Sequence, residues 1–387
     1  MPSAAIFIGA VSLAIWVYLV FARGWFWRLG EFDHDKIEVS PVGEWPRVVA
    51  VVPARNEAAT TGRTVAALAR QDYPGEFSIV FVDDHSDDGT AEVGRRAAAE
   101  CGATERFSIY SAAPLPAGWT GKLWALHEGM ARAAEKAPEF YWLTDADVVH
   151  EPDGLRRLVA RAESNDLDLA SLMVPLQAGT FPERALIPAF LYFFLKLYPL
   201  RWIADSNART AGAAGGCILL RRFAFERIGG LEKIRGEVID DCALAREVKN
   251  SGGRVWMGLT RVSVSLRGYG GFGEIRDMIA RTAFTKLSYS VFVLFGTLAG
   301  MFLAYLAPVL VLLAHDSIAR ILGAAAWMLM SLSFLPTVRF YRLSPLWALV
   351  LPLAALFYSY ATWLSAMRYW LGRGGQWKGR AQAPRAA

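Results

Sequence analysis

The chain has 387 residues, 54% of them hydrophobic, and a formal net charge of +5. That length holds one sizeable α/β domain and something more, and the apolar share exceeds what a soluble enzyme needs, which points to membrane segments. No dense Lys/Arg stripe accompanies the modest positive charge, so the chain carries no nucleic-acid signature; the charge fits a membrane surface instead. Three scattered cysteines, Cys101, Cys217 and Cys242, and five histidines without zinc-type spacing argue against a disulfide scaffold or a zinc site.

Ala4–Ala22 is apolar and uncharged, long enough to span a bilayer, and ends in Arg23, Trp25, Phe26, Trp27 and Arg28. An aromatic and basic belt there places the following residues in the cytoplasm. A cleaved signal peptide fits less well, because no basic region precedes the apolar run and bulky rings stand where cleavage would fall. A charged linker, Glu31–Glu44, leads to Arg47–Pro53, whose continuous valines predict a buried parallel strand. Further strands are expected over Ser78–Val82, Phe107–Tyr110, Phe140–Thr144, Leu167–Val174 and Val255–Leu259, with helices between them. Such alternation predicts a doubly wound, mostly parallel sheet.

Ala185–Ile203 is rich in aromatic residues but is broken by Lys196 and Pro199, so we expect a helix lying in the membrane interface, with a buried core helix as the alternative. Leu287–Ala314, Ile318–Val338 and Leu346–Met367 are long apolar segments. With a cytoplasmic globular region, Arg339 and Arg342 fall inside, whereas a third span would leave the basic tail outside. Pro345 and Pro352 leave open a re-entrant hairpin for the last segment. The expected organisation is a membrane helix over 1–23, a linker over 24–46, a cytoplasmic domain over 47–286, membrane helices over 287–367 and a basic, disordered tail over 368–387.

In parallel sheets ligands bind beyond the carboxyl ends of the strands. Three expected strand ends carry acids here: Glu57, then Asp83 and Asp84, then Asp145 and Asp147. Two carboxylates one residue apart repel each other unless a cation or proton lies between them. Asp145-Ala146-Asp147 is therefore a candidate seat for Mg²⁺ or Mn²⁺ holding a diphosphate. No dinucleotide-binding glycine motif follows the first strand. Gly121-Lys122-Leu123 lacks the hydroxyl residue of a phosphate-binding loop, and there is no Gly-x-Ser-x-Gly.

Pro53-Ala54-Arg55-Asn56-Glu57, Asp83 to Thr90, Gly121-Lys122, Asp145-Ala146-Asp147 and Asp240-Asp241 occur in the order of a family 2, GT-A-fold inverting glycosyltransferase, which residues 47 to 286 resemble. Pro114 to Leu126, Ala213 to Cys217 and Ile239 to Ala245 are similar to the bacterial hopanoid-associated glycosyltransferases. The resemblance implies a nucleotide-diphosphate sugar donor, a UDP-sugar first, and a lipid acceptor such as a hopanoid at the inner membrane. Polyprenyl-phosphate or ceramide-like acceptors, and a catalytically silent scaffold of the same fold, are the alternatives. By the same resemblance Pro53, Ala54, Arg55 and Glu57 line the nucleotide pocket, Asp83 or Asp84 binds the base, and Lys122 approaches the phosphates. Asp145 and Asp147 face the donor, Asp147 as metal ligand, and Asp241, after Asp240, is the catalytic base. The family's Gln-x-x-Arg-Trp is missing, which leaves Arg281 or Lys286 as diphosphate clamp, and His127 stands where an Asn is common. Each role has a plainer rival: Asp83 and Asp87 also suit a helix cap, Asp240 and Asp241 a helix's first turn, and Arg281 a membrane flank.

Overall fold

The computed structural model describes residues 4–33, 43–372, 376–377 and 380–381. Part of the expected linker and most of the expected tail lie outside these residues. The chain forms two compact units. One contains residues 31–176, 202–267 and 376–387; the other contains 1–30, 177–201 and 268–375. This division differs from the expected 47–286 domain. Residues 177–201 and 268–286 belong with the apolar helices, because their own apolar faces pack there.

The first unit is built on a seven-stranded sheet. Its strands are β1 (Val48–Ala54), β2 (Phe77–Asp83), β3 (Phe107–Ser111), β4 (Phe140–Leu143), β6 (Leu169–Met173), β7 (Ile218–Arg221) and β8 (Val255–Leu259). Two short strands, β5 (Val148–Val149) and β9 (Val264–Ser265), pair as a separate antiparallel ribbon. The sheet order is β3-β2-β1-β4-β7-β6-β8, and β7 alone runs against the rest. Every residue of β1 is buried, as its valine run requires. Helix Gly121–Ala134 lies close over β1 and β2 at Gly129, where a Cβ would stand 2.6 Å from Val51 and 2.9 Å from Val82. Only glycine permits that approach. In the pairing register Ala54 stands beside Asp83, so the carboxyl ends of β1 and β2 finish level. β4 pairs with β1 as far as Leu143 beside Val51 and delivers Thr144 and Asp145 at the same edge.

Among the described residues the second unit holds four helices long and apolar enough to cross a membrane: Ala4–Phe21, Val291–Val311, Ser317–Phe340 and Pro345–Trp370. Pro345 and Pro352 stand in the first turns of a 3₁₀ and an α segment that form one continuous helix, so the prolines start it and do not fold it into a hairpin. Pro308 has no N–H for the carbonyl of Ala304, four residues before it. The indole of Trp16 donates to that carbonyl at 2.6 Å, and Ser12 donates to Leu303 O at 2.7 Å. Side chains of one helix thus satisfy the backbone that a proline has opened in another. The 185–203 stretch forms two helices, Phe181–Leu197 and Leu200–Ala204, divided at Pro199. In the helical unit Tyr192 is fully buried and bonds Ser333 at 2.6 Å, and Tyr358 donates to Leu186 O at 3.1 Å.

Candidate active site

Acids gather at the carboxyl edge of the sheet unit around one lysine. Lys122, at the start of its helix, is 2.9 Å from Asp145 Oδ1 and 3.6 Å from Asp240 Oδ2. Burial alone would push its ammonium down, but the charges of Asp145, Asp240 and Asp241 hold it above the ordinary lysine range. Asp240 and Asp241 open helix Asp240–Asn250, as the sequence predicts. Asp241 Oδ2 accepts from Gly215 N at 2.9 Å, and Oδ1 accepts from Cys242 N at 2.7 Å. Both oxygens are therefore oriented by backbone. A Cβ on Gly215 would stand 3.0 Å from the Lys122 ammonium, so a side chain there would crowd the lysine. A cavity of about 20 Å³, the size of one water, is lined by Pro53, Lys122, Asp145, Gly215, Asp240 and Asp241 among others.

The electrostatics are tense. Burial, then Asp240, push the Asp241 carboxyl up to about 6, with Lys122 and the two N–H donors pulling the other way. Asp147 is likewise pushed up to about 6, by burial first and then by Asp145 and Glu57. A divalent cation beside Asp145 and Asp147 would relieve this repulsion, so these two side chains fit one. No set of three His, Cys, Asp or Glu side chains gathers in metal-binding arrangement among the described residues.

The loops after β1 and β2 are laced together. Asn56 and His85 take left-handed backbone, with φ of 49° and 54°. Asn56 N donates to Ser86 Oγ at 2.9 Å, Glu57 N to Thr90 Oγ1 at 2.9 Å and Ala58 N to Asp88 Oδ2 at 2.9 Å. Gly89 is the N-cap of the helix at Thr90; Asp88, just before it, accepts from Thr90 N at 3.0 Å, and Asp87 N donates to Asn56 Oδ1 at 3.1 Å. Arg55 donates to the Asp84 carbonyl and pairs with the Asp84 carboxylate at 3.6 Å, so these two candidates bind each other. Ala54 is buried, and its carbonyl accepts from Asp84 N at 2.8 Å. Asp83 differs. Its Oδ2 takes Ser86 N at 3.3 Å, but its buried Oδ1 has no hydrogen-bond partner.

Arg281 and Lys286 lie on helix Phe272–Lys286 of the helical unit, where Lys286 is held by the Tyr198 hydroxyl and sits 4.3 Å over that ring. His127 stacks on Trp124 with ring centres 5.3 Å apart and faces Trp119 at 4.8 Å. The sequence did not single out Thr144, His150 or Ser171. These buried polar residues hold the loop that carries Gly215, and their signal, small polar side chains beside apolar strands, is too common to read alone.

The glycosyltransferase like family 2 model matches residues 46–285. The chain belongs to that family. An N-acetylglucosaminyltransferase of Mesorhizobium japonicum is 29% identical over 182 residues, 46% of this chain and 38% of the relative, so the match spans well under half of that relative's length. A mannosyltransferase from Pyrobaculum calidifontis, solved with GDP-mannose and Mn²⁺, superposes with a TM-score of 0.56 at 17% identity, over 93% of this chain and 99% of that one. At that identity the likeness is one of fold. The family 2 sheet, with its single reversed strand and flanking helices, is of the GT-A type.

Proposed function

We propose that this family 2 chain is a membrane-bound inverting glycosyltransferase. It moves a sugar from a nucleotide-diphosphate sugar to a lipid hydroxyl at the cytoplasmic face of the bacterial inner membrane. The observation that carries this reading is the meeting of Asp145, Asp240 and Asp241 around Lys122 at the strand ends, in a chain with four helices apolar enough to cross a membrane.

In a single in-line displacement the acceptor hydroxyl attacks the anomeric carbon, and a base must take its proton. Asp241 is that base. Gly215 N–H and Cys242 N–H fix its two oxygens, and a further lone pair stays available for the proton. Asp83 Oδ1, buried and unpaired, suits an N–H of the nucleobase, a uracil in our reading. Lys122 faces the phosphates as they arrive. Asp147 and Asp145 would hold Mg²⁺ or Mn²⁺, which neutralises the departing diphosphate by Lewis acidity. The names of the two relatives make N-acetylglucosamine and mannose the sugars to try first.

The acceptor is a lipid, with a hopanoid preferred. An apolar groove of about 570 Å³ in the helical unit, lined by Phe181, Phe272, Trp347 and Phe357 among others, supports a hydrocarbon ligand. Purified full-length protein incubated with UDP-N-acetylglucosamine or GDP-mannose, Mn²⁺ and lipid extract tests the reading. Release of nucleoside diphosphate that depends on the lipid is expected; absence of binding and turnover with every nucleotide sugar would overturn it.

A further inference from the structure

Behind the acids lies a chain of buried polar groups with a fixed donor order. Thr144, at the end of β4, is 1% exposed and His150 is 3% exposed. Thr144 Oγ1 donates to Gly216 O at 2.9 Å and lies 2.8 Å from His150 Nε2. His150 Nδ1 lies 3.1 Å from Ser263 Oγ. The proton count settles the directions. The carbonyl of Gly216 has no hydrogen, so the one hydroxyl proton of Thr144 goes to it. His150 Nε2 must then carry a hydrogen and donate to Thr144. In a neutral imidazole Nδ1 is the acceptor, and Ser263 donates to it. Burial pushes the His150 imidazole down to about 3, consistent with the neutral ring.

The receiving end is the loop whose Gly215 N–H holds Asp241 Oδ2. Trp142, whose ring lies 4.6 Å from His150, donates to Cys217 Sγ at 3.4 Å in the same loop, and Ser171 Oγ accepts from Ala214 N at 2.9 Å. Thr144 also precedes Asp145, which pairs with Lys122.

We infer that His150 is a positioning residue for transfer: through Thr144 it fixes the Gly215–Gly216 loop, and through that loop the orientation of the Asp241 carboxylate. This rests on Asp241 being the base. Thr144 lines the small cavity beside Lys122 and Asp241, whereas His150 and Ser263 stand behind Thr144 as its hydrogen-bonded support. Loss of the relay should therefore lower turnover and leave donor affinity nearly unchanged.

The test compares Thr144→Val, which removes the hydroxyl at constant shape, with His150→Leu, His150→Gln, the Thr144→Val/His150→Leu double variant and Asp241→Asn, all full length. UDP binding in Mn²⁺ reports the folded donor site, and turnover of UDP-N-acetylglucosamine or GDP-mannose reports transfer. Thr144→Val and His150→Leu should lose about 10- to 100-fold in kcat, as small misplacements of reacting groups do, with UDP affinity within about threefold. His150→Gln keeps an N–H at the Nε2 position and should recover most of kcat, and the double variant should be no slower than Thr144→Val alone. Undiminished kcat in either single variant, additive losses, or a folded His150→Gln as slow as His150→Leu would each overturn the relay. An active Asp241→Asn would instead overturn the assignment of the base, so the two failures are distinguishable.

Discussion

Lys122 sets how acidic the centre can remain. Its ammonium lowers the Asp241 pKa against burial and Asp240. A base works ionised, so kcat/KM should fall as pH drops through about 6. Lys122→Met removes the counter-charge and should move that acid limb to higher pH; an unmoved limb in the pH profile would contradict the pairing. Asp147 makes the opposite kind of prediction. Its carboxyl is raised above the unfolded value, so the ionised form opposes folding, and its stability contribution improves as pH falls from about 6 towards 4. Asp147→Asn should stabilise the metal-free protein at pH 7 by up to about 3 kcal/mol, seen as a higher Tm. It should also weaken Mn²⁺-dependent UDP binding. Part of this site is legible in the sequence because it is local: Asp145-Ala146-Asp147 and Asp240-Asp241 announce themselves by adjacency and by the strand or helix they end or begin. The pairing of Lys122 with Asp145 and Asp240 is not, since no periodicity links positions so far apart. Nor does Asp83-Asp84 reveal which of the two acids pairs with Arg55.

At the scale of elements, close approaches decide what can be changed. Gly129→Ala on helix Gly121–Ala134 would drive a methyl into Val51 and Val82. It should cost about 1–3 kcal/mol, the range for overpacking, measurable as a lower Tm. The strands of the sheet are readable from their valine and aromatic runs, but the reversal of β7 is not, because a short apolar strand reads the same in either direction. In the helical unit, Trp16→Phe leaves the Ala304 carbonyl without its donor. A loss of about 1 kcal/mol is expected; an unchanged unfolding midpoint in detergent would show that another group satisfies that carbonyl. Proline positions also need the fold for their meaning. Pro345 and Pro352 are compatible with a hairpin on paper, yet both sit where a helix tolerates proline, in opening turns.

For the whole molecule, one chain carries a family 2 sheet unit and, among the described residues, four helices apolar enough to cross a membrane; the proposed function makes it a transferase that works on lipid. Four spans with the sheet unit in the cytoplasm would place Arg339 and Arg342 inside and the basic carboxyl terminus outside. Carboxyl-terminal fusions to alkaline phosphatase should then be active. The central claim is catalytic transfer to a lipid through Asp241. The most direct measurement is mass spectrometry of lipids from cells carrying the wild-type chain or Asp241→Asn. Loss of a glycosylated hopanoid, with its unglycosylated precursor accumulating, is the predicted result. Identical glycolipids under conditions where the wild-type chain is needed would contradict it.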